Sequence, residues 1–215
     1  MKEFVNCVIS HFDIVSFDIF DTLIERNVAK PSDIFKVVGE NVLGDGYSKK
    51  FCDQRICAEK LVRGKRGGNE VTLEEIYKEL ASIYREQWKI LMKAEIETEI
   101  DNCYPKEKYV HILEKCIQKG KKVFLISDMY LSEDVIVAIL NKCHIVGYDK
   151  LYVSNIYNAN KRSGRLFEVV VNENDINVKR MVHIGDSIRS DFLGAHKAGI
   201  RAILIGRKYR FRRML

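Results

Sequence analysis

The 215-residue sequence contains little proline and no long apolar run. Its two prolines, Pro31 and Pro105, leave long stretches free to form helices, because proline interrupts a helix when it falls in the interior. No apolar run approaches the roughly 20 residues that a membrane-spanning helix needs. The first residues also lack the basic and apolar segments of a secretory signal peptide. We therefore expect a cytoplasmic globular protein without a membrane span.

Cysteine pairs of the Cys-x-x-Cys type are absent, and no cluster of cysteine and histidine has the spacing of a zinc site. The six cysteines are spread along the chain, at Cys7, Cys52, Cys57, Cys103, Cys116 and Cys143. We predict reduced, mostly buried thiols, as is usual in a cytosolic protein.

Positive charge is in modest excess, with 36 lysines and arginines against 30 aspartates and glutamates. The excess weakly favours anionic partners such as phosphorylated small molecules. Much of it lies in residues 207–213 (RKYRFRR), which we interpret as a solvated end or linker rather than a surface for nucleic acid or membrane. Residues 63–68 (RGKRGG) are predicted to form a flexible surface connection, with contact to an anion as the alternative.

Five short apolar runs are typical of buried parallel strands, because each is rich in large or β-branched residues without clean alternation. They span residues 14–20, 123–127, 151–154, 181–185 and 202–205. Helical patterns lie between the later runs. One follows Ser132 as N-cap, one covers 166–171, and one covers 188–198 and ends at Gly199. This alternation predicts an α/β fold with a doubly wound, Rossmann-like, parallel five-stranded sheet.

A long helical segment separates the first predicted strand from the second. Between Leu23 and Lys122 the apolar spacing is almost wholly helical, and residues 72–75 (TLEE) have the form of a capping box. Trp88 and Ile96 belong to a further apolar stripe, which we interpret as a packing surface. The segment is far longer than one crossover connection, so we predict that a helical domain is inserted after the first strand.

Polar residues gather at the carboxyl ends of the predicted strands, where doubly wound sheets bind ligands. They are Asp18 and Asp21 at the end of the first strand, Ser127 and Asp128 at the end of the second, Lys161 in the loop after the third, and Asp186 at the end of the fourth, with Asp191 one helical turn on. A carboxylate at this edge can attack phosphorus and form an acyl phosphate. Oxygen ligands suit a Mg²⁺ ion that offsets the repulsion between carboxylate and phosphate, while lysine and serine can hold the phosphoryl oxygens.

Four motifs resemble those of haloacid dehalogenase-superfamily hydrolases, in the order that the family has them. They are residues 16–23 (SFDIFDTL), 126–130 (ISDMY), 161–167 (KRSGRLF) and 185–191 (GDSIRSD). Any one of them is a weak signal, whereas the four together are specific. The helical insertion lies between the first and second motifs, which is the position of the family's cap. The resemblance implies a core of residues 1–24 and 105–215 and an all-helical cap at 25–104.

The resemblance also implies residue roles. The metal ligands would be Asp18, which is also the nucleophile, the backbone carbonyl of Phe20, and Asp186. The catalytic residues would be Asp18, Ser127 and Lys161, of which Ser127 and Lys161 bind the phosphoryl group, with Asp128 as a further substrate contact. The supporting residues would be Asp21, Thr22 and Asp191. The cofactor would be Mg²⁺, and the substrate a small phosphorylated metabolite such as a sugar phosphate or a nucleotide.

The residue two positions after Asp18 departs from the family's phosphatases, which carry there an aspartate that protonates the leaving oxygen. In this sequence it is Phe20, which cannot transfer a proton. General acid–base catalysis is worth about 10²–10⁴-fold, so the loss is substantial. Asp21 is adjacent, but it would face the site only if the backbone turned sharply, because consecutive extended residues point to opposite faces.

Three interpretations therefore remain open. The one we favour is a Mg²⁺-dependent phosphohydrolase that acts on a good leaving group or takes its acid from Asp21, Asp128, the cap or the substrate. The second is a dehalogenase- or phosphonatase-type hydrolase, since those relatives also lack the second aspartate. The third is a weakly active or inactive module that binds a phosphorylated ligand or a partner. The wording of the first two motifs resembles domains found beside bacterial glycosyltransferases, which would imply fusion or partnership with such an enzyme.

Overall fold

A five-stranded parallel sheet forms the centre of the fold. The computed structural model describes residue 8 and residues 10–206, so residues 207–213 and Cys7 lie outside the described residues. The sheet strands are β1 (Ile14–Phe17), β4 (Lys122–Ser127), β5 (Lys150–Val153), β6 (Met181–Gly185) and β7 (Arg201–Leu204), in the order β5-β4-β1-β6-β7. The other two, β2 (Ile24–Arg26) and β3 (Cys103–Pro105), form an antiparallel ribbon. The predicted parallel sheet is confirmed.

The first strand lies at the centre of this sheet, between β4 and β6. Phe17 is in register with Leu125 on one side and with Ile184 on the other, and all three side chains are fully buried. Because neighbouring parallel strands end at the same edge, the residues that follow β1, β4 and β6 come together.

The first strand is shorter than predicted. It ends at Phe17, and the chain then turns tightly, with the amides of Leu23 and Ile24 both donating to the carbonyl of Ile19. Asp21 has a φ of 63°, which breaks the extended geometry assumed for residues 18–20. Hydrophobicity continues through the turn because Ile19 and Leu23 pack into the core, which is why the sequence pattern missed the strand end.

Four helices make up the insertion: α1 (Asp33–Leu43), α2 (Ser48–Lys65), α3 (Leu73–Tyr84) and α4 (Gln87–Asn102). The predicted capping box is present, since the Thr72 side chain accepts from the Glu75 amide and Glu75 accepts from the Thr72 amide. The predicted loop at 63–68 is wrong in its first half, because α2 continues through Lys65. An ion pair of 2.8 Å between Glu59 and Arg63, one helical turn apart, supports this extension.

The ends of the insertion are strands rather than helices. The chain leaves the core through β2 and returns through β3, so the two connections pair with each other. Lys106 fastens this ribbon to the turn after β1, because its amide donates to the Leu23 carbonyl at 2.7 Å and its Nζ donates to the Asp21 carbonyl at 2.5 Å. Below, "the cap" means α1–α4 with this ribbon.

Helices cover both faces of the sheet. They are α5 (Glu107–Gln118), α6 (Glu133–Lys142), the short α7 (Ser154–Tyr157), α8 (Arg165–Glu173) and α9 (Leu193–Lys197), with a 3₁₀ turn at Val178–Arg180. The predicted helix over 188–198 has two parts, a π-helical turn (Ile188–Phe192) and α9, and Gly199 follows with the expected positive φ of 75°.

Four of the five described cysteines are buried, and all five are free thiols. No helix in the described part of the chain is long and apolar enough to cross a bilayer.

Candidate active site

A cavity of about 600 Å³ opens at the carboxyl ends of the central strands. Its core wall carries the predicted site residues Asp18, Phe20, Ser127, Asp128, Lys161, Asp186 and Asp191. Its opposite wall comes from the cap and includes Arg26, Phe35, Glu59, Lys60, Arg63 and Glu99. Residues far apart in the sequence thus enclose one space between core and cap.

Lys161 lies at the centre of the core wall. Its ammonium donates to Asp18 at 2.5 Å and to Asp191 at 2.6 Å, and the side chain is only 3% exposed. Burial alone would lower the pKa of Lys161, but Asp18, Asp191 and Asp128 outweigh it and raise that pKa above its usual range. The ammonium therefore stays charged and joins two carboxylates that would otherwise repel each other.

Asp18 is the carboxylate with the most strongly raised pKa in this cluster. Burial raises the pKa of Asp18 to about 7, with Lys161 opposing the shift and with Asp191 and Asp186 adding to it. Its amide donates to the Ile184 carbonyl at 2.9 Å, so the backbone still follows β6 at this point. Burial is thus the main reason for the raised pKa, and the neighbouring carboxylates add to it.

A divalent cation fits this charge. Carboxylate oxygens of Asp18, Asp186 and Asp191 lie within 4.8 Å of one another, and all three residues are buried. Three carboxylates around a single ammonium leave a net negative charge in a protected site, and oxygen ligands are those that Mg²⁺ prefers. The donor set and the raised pKa of Asp18 are therefore compatible with Mg²⁺.

Asp191 is held in place from three directions. It accepts from the Ser187 amide at 2.8 Å and from Lys161, and its Oδ1 lies 3.3 Å from Nε2 of His183. Burial opposes ionisation, yet Lys161 and His183 outweigh it and keep the pKa of Asp191 well below its usual range. Asp191 is thus a fixed negative charge that orients Lys161.

His183 has a role that the sequence analysis missed. It is fully buried on β6, its Nδ1 lies 2.9 Å from Ser16 Oγ, and its Nε2 faces Asp191. Burial lowers the pKa of His183, so the ring is neutral and its Nε2–H donates to the carboxylate. The available signal was cross-strand register, since Ser16 and His183 are paired polar residues in otherwise apolar neighbouring strands.

Two glycines allow the close packing around Lys161 and Asp191. A Cβ on Gly185 would lie 2.3 Å from Cγ of Asp191, and a Cβ on Gly194 would lie 2.0 Å from the Lys161 carbonyl oxygen. Real Cβ atoms do not approach other atoms so closely. Glycine at these positions therefore lets the backbones of β6 and α9 approach the site.

Ser127 is the last residue of β4 and Asp128 follows it, and both lie on the same wall. Ser127 is buried and lines the cavity, as expected for a phosphoryl-binding hydroxyl. Asp128 accepts from the Lys161 amide at 2.8 Å, so it supports the lysine loop as well as facing the cavity. Burial raises the pKa of Asp128, with Lys161 opposing. Their assignment to substrate binding remains a prediction.

The residues after Asp18 differ in their exposure to the cavity. Phe20 lines it, whereas Asp21 and Thr22 are not among the described residues that do. The sharp turn at Asp21 is present, but its carboxylate does not reach the cavity wall. Thr22 is buried, and its hydroxyl has no hydrogen-bond partner among the described residues. Asp21 is therefore a poor substitute for the missing acid.

Glu70 connects the cap to the core loops, and the sequence analysis overlooked it. Its carboxylate accepts from Ser154 Oγ at 2.9 Å and from Asn160 Nδ2 at 3.0 Å. Ser154 Oγ in turn accepts from the Met129 amide at 3.0 Å. One cap residue is thereby linked to the loops that carry Asp128 and Lys161. No local motif marks such a residue, because its partners are distant in the sequence.

Glu70→Ala is expected to lower the free energy of unfolding by about 1–3 kcal/mol, because it leaves two partly buried hydrogen-bond donors without an acceptor. Chemical denaturation measures this change. The control is Glu74→Ala, which removes an exposed glutamate paired with Lys78 and is expected to cost less than about 0.5 kcal/mol. Equal losses in the two variants would show that Glu70 does not link cap and core.

Comparison with known proteins supports the family that the four sequence motifs resemble. The sequence model for haloacid dehalogenase-like hydrolases matches residues 66–205, which include the second, third and fourth motifs. No curated protein sequence matches the chain significantly.

Solved structures with a similar fold include several hydrolases. The HAD-hydrolase YfnB from Bacillus subtilis, bound to magnesium, has a TM-score of 0.65 at 13% identity, over 91% of this chain and 89% of that one. The L-2-haloacid dehalogenase from Xanthobacter autotrophicus, with chloropropionic acid covalently bound, has a TM-score of 0.63 at 12% identity, over 93% and 79%. CbbY from Rhodobacter sphaeroides, in complex with phosphate, has a TM-score of 0.60 at 13% identity, over 94% and 89%. These likenesses concern the fold, and together with the sequence match they show that the chain belongs to the haloacid dehalogenase-like hydrolase family.

Proposed function

We propose that the protein is a Mg²⁺-dependent phosphohydrolase that acts through an aspartyl-phosphate on Asp18. The observation that carries this proposal is the buried cluster in which Lys161 joins Asp18 to Asp191, with Asp186 beside them. An acidic cluster of this kind suits a bound cation together with a phosphate, because the positive charge of the cation offsets the negative charges of the carboxylates and of the phosphate. A site for a neutral substrate would have no use for so much buried charge.

The residues divide the work as follows. The Asp18 carboxylate attacks phosphorus, and the Lys161 ammonium and the Ser127 hydroxyl hold the phosphoryl oxygens while charge shifts onto them. Asp191 and Asp128 keep Lys161 in place. Asp18, Asp186 and the backbone carbonyl of Phe20 would hold Mg²⁺. When bound, this ion would offset the electrostatic repulsion between the attacking carboxylate and the phosphate.

The substrate that this cavity suits is a small phosphorylated metabolite. A volume of about 600 Å³ accommodates a sugar phosphate or a nucleotide, and ligand sites of this class usually measure roughly 300–1,000 Å³. The cap supplies about half of the wall, so it selects the group that carries the phosphate.

A dehalogenase is the second candidate, and Phe20 is the observation that favours it, because displacement of a halide needs no proton donor. The acidic cluster argues against it, since a chain that attacks carbon gains nothing from a cation site. A third possibility is a binding module attached to a glycosyltransferase, for which the wording of the first two motifs is the only support.

A substrate panel tests these alternatives. Wild-type protein is assayed for phosphate release from sugar phosphates, nucleotides and p-nitrophenyl phosphate, with Mg²⁺ and with a chelator, beside Asp18→Asn as the blank. We expect Mg²⁺-dependent release that the blank lacks. Halide release from 2-haloacids without metal would favour the dehalogenase. No turnover above the blank on any substrate would reject both enzymes and leave the binding module.

A further inference from the structure

An arginine lies against the residue that replaces the acid of the family's phosphatases. The guanidinium of Arg26 lies over the Phe20 ring, 4.4 Å from its centroid, and both residues line the cavity that contains Asp18. Arg26 Nε donates to Glu99 at 2.8 Å, and the Arg26 side chain is 9% exposed. A guanidinium has five N–H donors and this bond engages one of them, so the group can also bind a ligand in the cavity.

The charge of Arg26 is permanent. Burial alone would disfavour the guanidinium, but Glu99 outweighs it, so the pKa of Arg26 is raised. Arg26 therefore cannot protonate a leaving oxygen, although it can bind one that departs with a negative charge. Planar guanidinium groups bind phosphate with two parallel hydrogen bonds, which adds both strength and orientation.

The rest of the cap wall also favours a negatively charged group. Among the described residues of that wall, Arg26, Lys60 and Arg63 are cations, while Glu99 pairs with Arg26 and Glu59 pairs with Arg63, which leaves one positive charge in excess. The core wall opposite is dominated by aspartates and would hold the cation. The cavity thus has an anion-binding side away from the nucleophile, where the leaving group of a substrate attacked by Asp18 would lie.

We propose that Arg26 stabilises an anionic leaving group in place of the missing acid, and that the substrates are phosphoanhydrides, whose leaving group is itself a phosphate. This inference rests on the proposed function and names its substrate class. Inorganic pyrophosphate and organic diphosphates both have such a leaving group.

The step balances without a proton donor. An Asp18 carboxylate oxygen forms a bond to the terminal phosphorus, and the bridging P–O bond breaks with its electron pair on the departing phosphate oxygen. That oxygen leaves as an anion paired with Arg26. Water then attacks the aspartyl-phosphate, its proton goes to solvent or phosphate, and the electron pair of the Asp18–phosphorus bond returns to the carboxylate. An alkyl phosphate would require protonation of an alkoxide, which Phe20 and Arg26 cannot supply.

Binding is tested with imidodiphosphate, a diphosphate analogue that resists hydrolysis, and with orthophosphate. Orthophosphate fills only the site of the phosphoryl group that would be transferred to Asp18. Calorimetry is done with Mg²⁺ on three proteins besides wild type. Arg26→Met/Glu99→Gln removes both charges and avoids an unpaired buried glutamate. Glu99→Gln removes the counter-charge only. The matched control is Arg180→Met, an arginine that pairs with Asp13 at 2.6 Å before β1, at the amino edge of the sheet. Thermal denaturation establishes that each variant is folded.

We expect the double variant to bind imidodiphosphate at least about tenfold more weakly, the usual size of a charged hydrogen bond, and Glu99→Gln to bind it more tightly. Orthophosphate affinity should change less than about twofold in every variant, and Arg180→Met should match wild type. Unchanged imidodiphosphate affinity in the double variant, with orthophosphate still bound, would overturn the role of Arg26 and leave the proposed function standing. Failure of the wild type to bind either phosphate would reject both.

Turnover gives a second test. Pyrophosphate and ADP are compared with glycerol phosphate, which needs its leaving group protonated. We expect kcat/KM for at least one diphosphate to exceed that for glycerol phosphate at least about a hundredfold, because neither Phe20 nor Arg26 can protonate the leaving oxygen. Preference between pyrophosphate and ADP identifies the inorganic or organic source. Efficient hydrolysis of glycerol phosphate that Glu99→Gln abolishes would make Glu99 the acid and overturn the proposal.

Discussion

Asp18→Asn is expected to reduce phosphate release at least about a thousandfold while leaving the protein as stable as wild type or more stable. Activity falls because the amide cannot attack phosphorus. Stability does not fall, because burial makes the ionised Asp18 carboxylate costly, as its pKa of about 7 indicates. The asparagine oxygen can still accept a hydrogen bond from Lys161.

The pH dependence of this difference follows from the direction of the shift. The pKa of Asp18 is about 7 in the folded chain, against an ordinary value of 3.8. Between these two pH values the folded state binds more protons than the unfolded state, so this residue makes the wild type less stable as pH rises through that window. The asparagine that replaces Asp18 in the variant does not titrate. The variant's advantage should therefore grow from about pH 4 to about pH 7 and then remain constant, at about 4 kcal/mol, since one pKa unit is worth about 1.4 kcal/mol.

Denaturant titrations of both proteins from about pH 4 to about pH 8, without divalent metal, measure this difference. Asp149→Asn is a control, since it alters an aspartate at the opposite end of β4 that accepts from the Val123 amide. A variant that is destabilised by several kcal/mol at the upper end of this range would mean that Asp18 serves the fold through Lys161 more than it serves catalysis. Retained phosphate release would exclude Asp18 as the nucleophile.

Lys161→Met is expected to abolish activity and, unlike Asp18→Asn, to lower the free energy of unfolding by about 3–5 kcal/mol without metal. Methionine fills a similar volume but leaves Asp18 and Asp191 facing each other without a cation. Breaking a buried ion pair at one partner is costly because the remaining charge is neither solvated nor paired. Activity falls because no ammonium holds the phosphoryl oxygens.

Metal-free denaturation and thermal melts with added Mg²⁺ measure the two effects of this variant. Mg²⁺ should restore part of the lost stability but none of the activity. The matched control is Lys197→Met, an exposed lysine that donates to the Arg162 carbonyl at 2.8 Å, for which a loss below about 1 kcal/mol is expected. Loss of stability no greater than in this control would show that the Lys161 ion pairs contribute nothing to the fold.

The opposite stability changes of the two variants would separate their roles. Both residues are predicted to be needed for turnover, yet only Lys161 also stabilises the folded chain. Such a result would identify Asp18 as a residue whose position is maintained by the surrounding structure at a cost in stability, which is typical of functional carboxylates.

Local sequence patterns predicted the parts of the fold that depend on neighbouring residues. Buried parallel strands have continuous apolar runs, so four of the five strands were placed within one residue at each end. The capping box at Thr72 and the left-handed Gly199 are likewise local and were found. The motif order predicted the family, and the edge of the sheet predicted that Asp18, Ser127 and Asp186 would meet.

The end of the first strand could not be predicted, because Ile19 and Leu23 are apolar for core packing beyond the last sheet pair. The contacts between side chains of the site could not be predicted from the sequence either. Nothing in the local sequence around His183 indicates its register with Ser16 or its contact with Asp191. The pairing of Glu70 with Ser154 joins residues 84 positions apart.

The sequence by itself thus determined the sheet, the family and the set of groups that surround Asp18, because strand patterns and motif spacings are written in short segments. Only the tertiary structure decided which cation and which carboxylate face each other, and that Arg26 rather than an acid lies against Phe20. Those pairings depend on the distance between segments after folding. Charge interactions in a buried site change steeply with that distance and with loss of solvent, and neither quantity can be obtained from residue order.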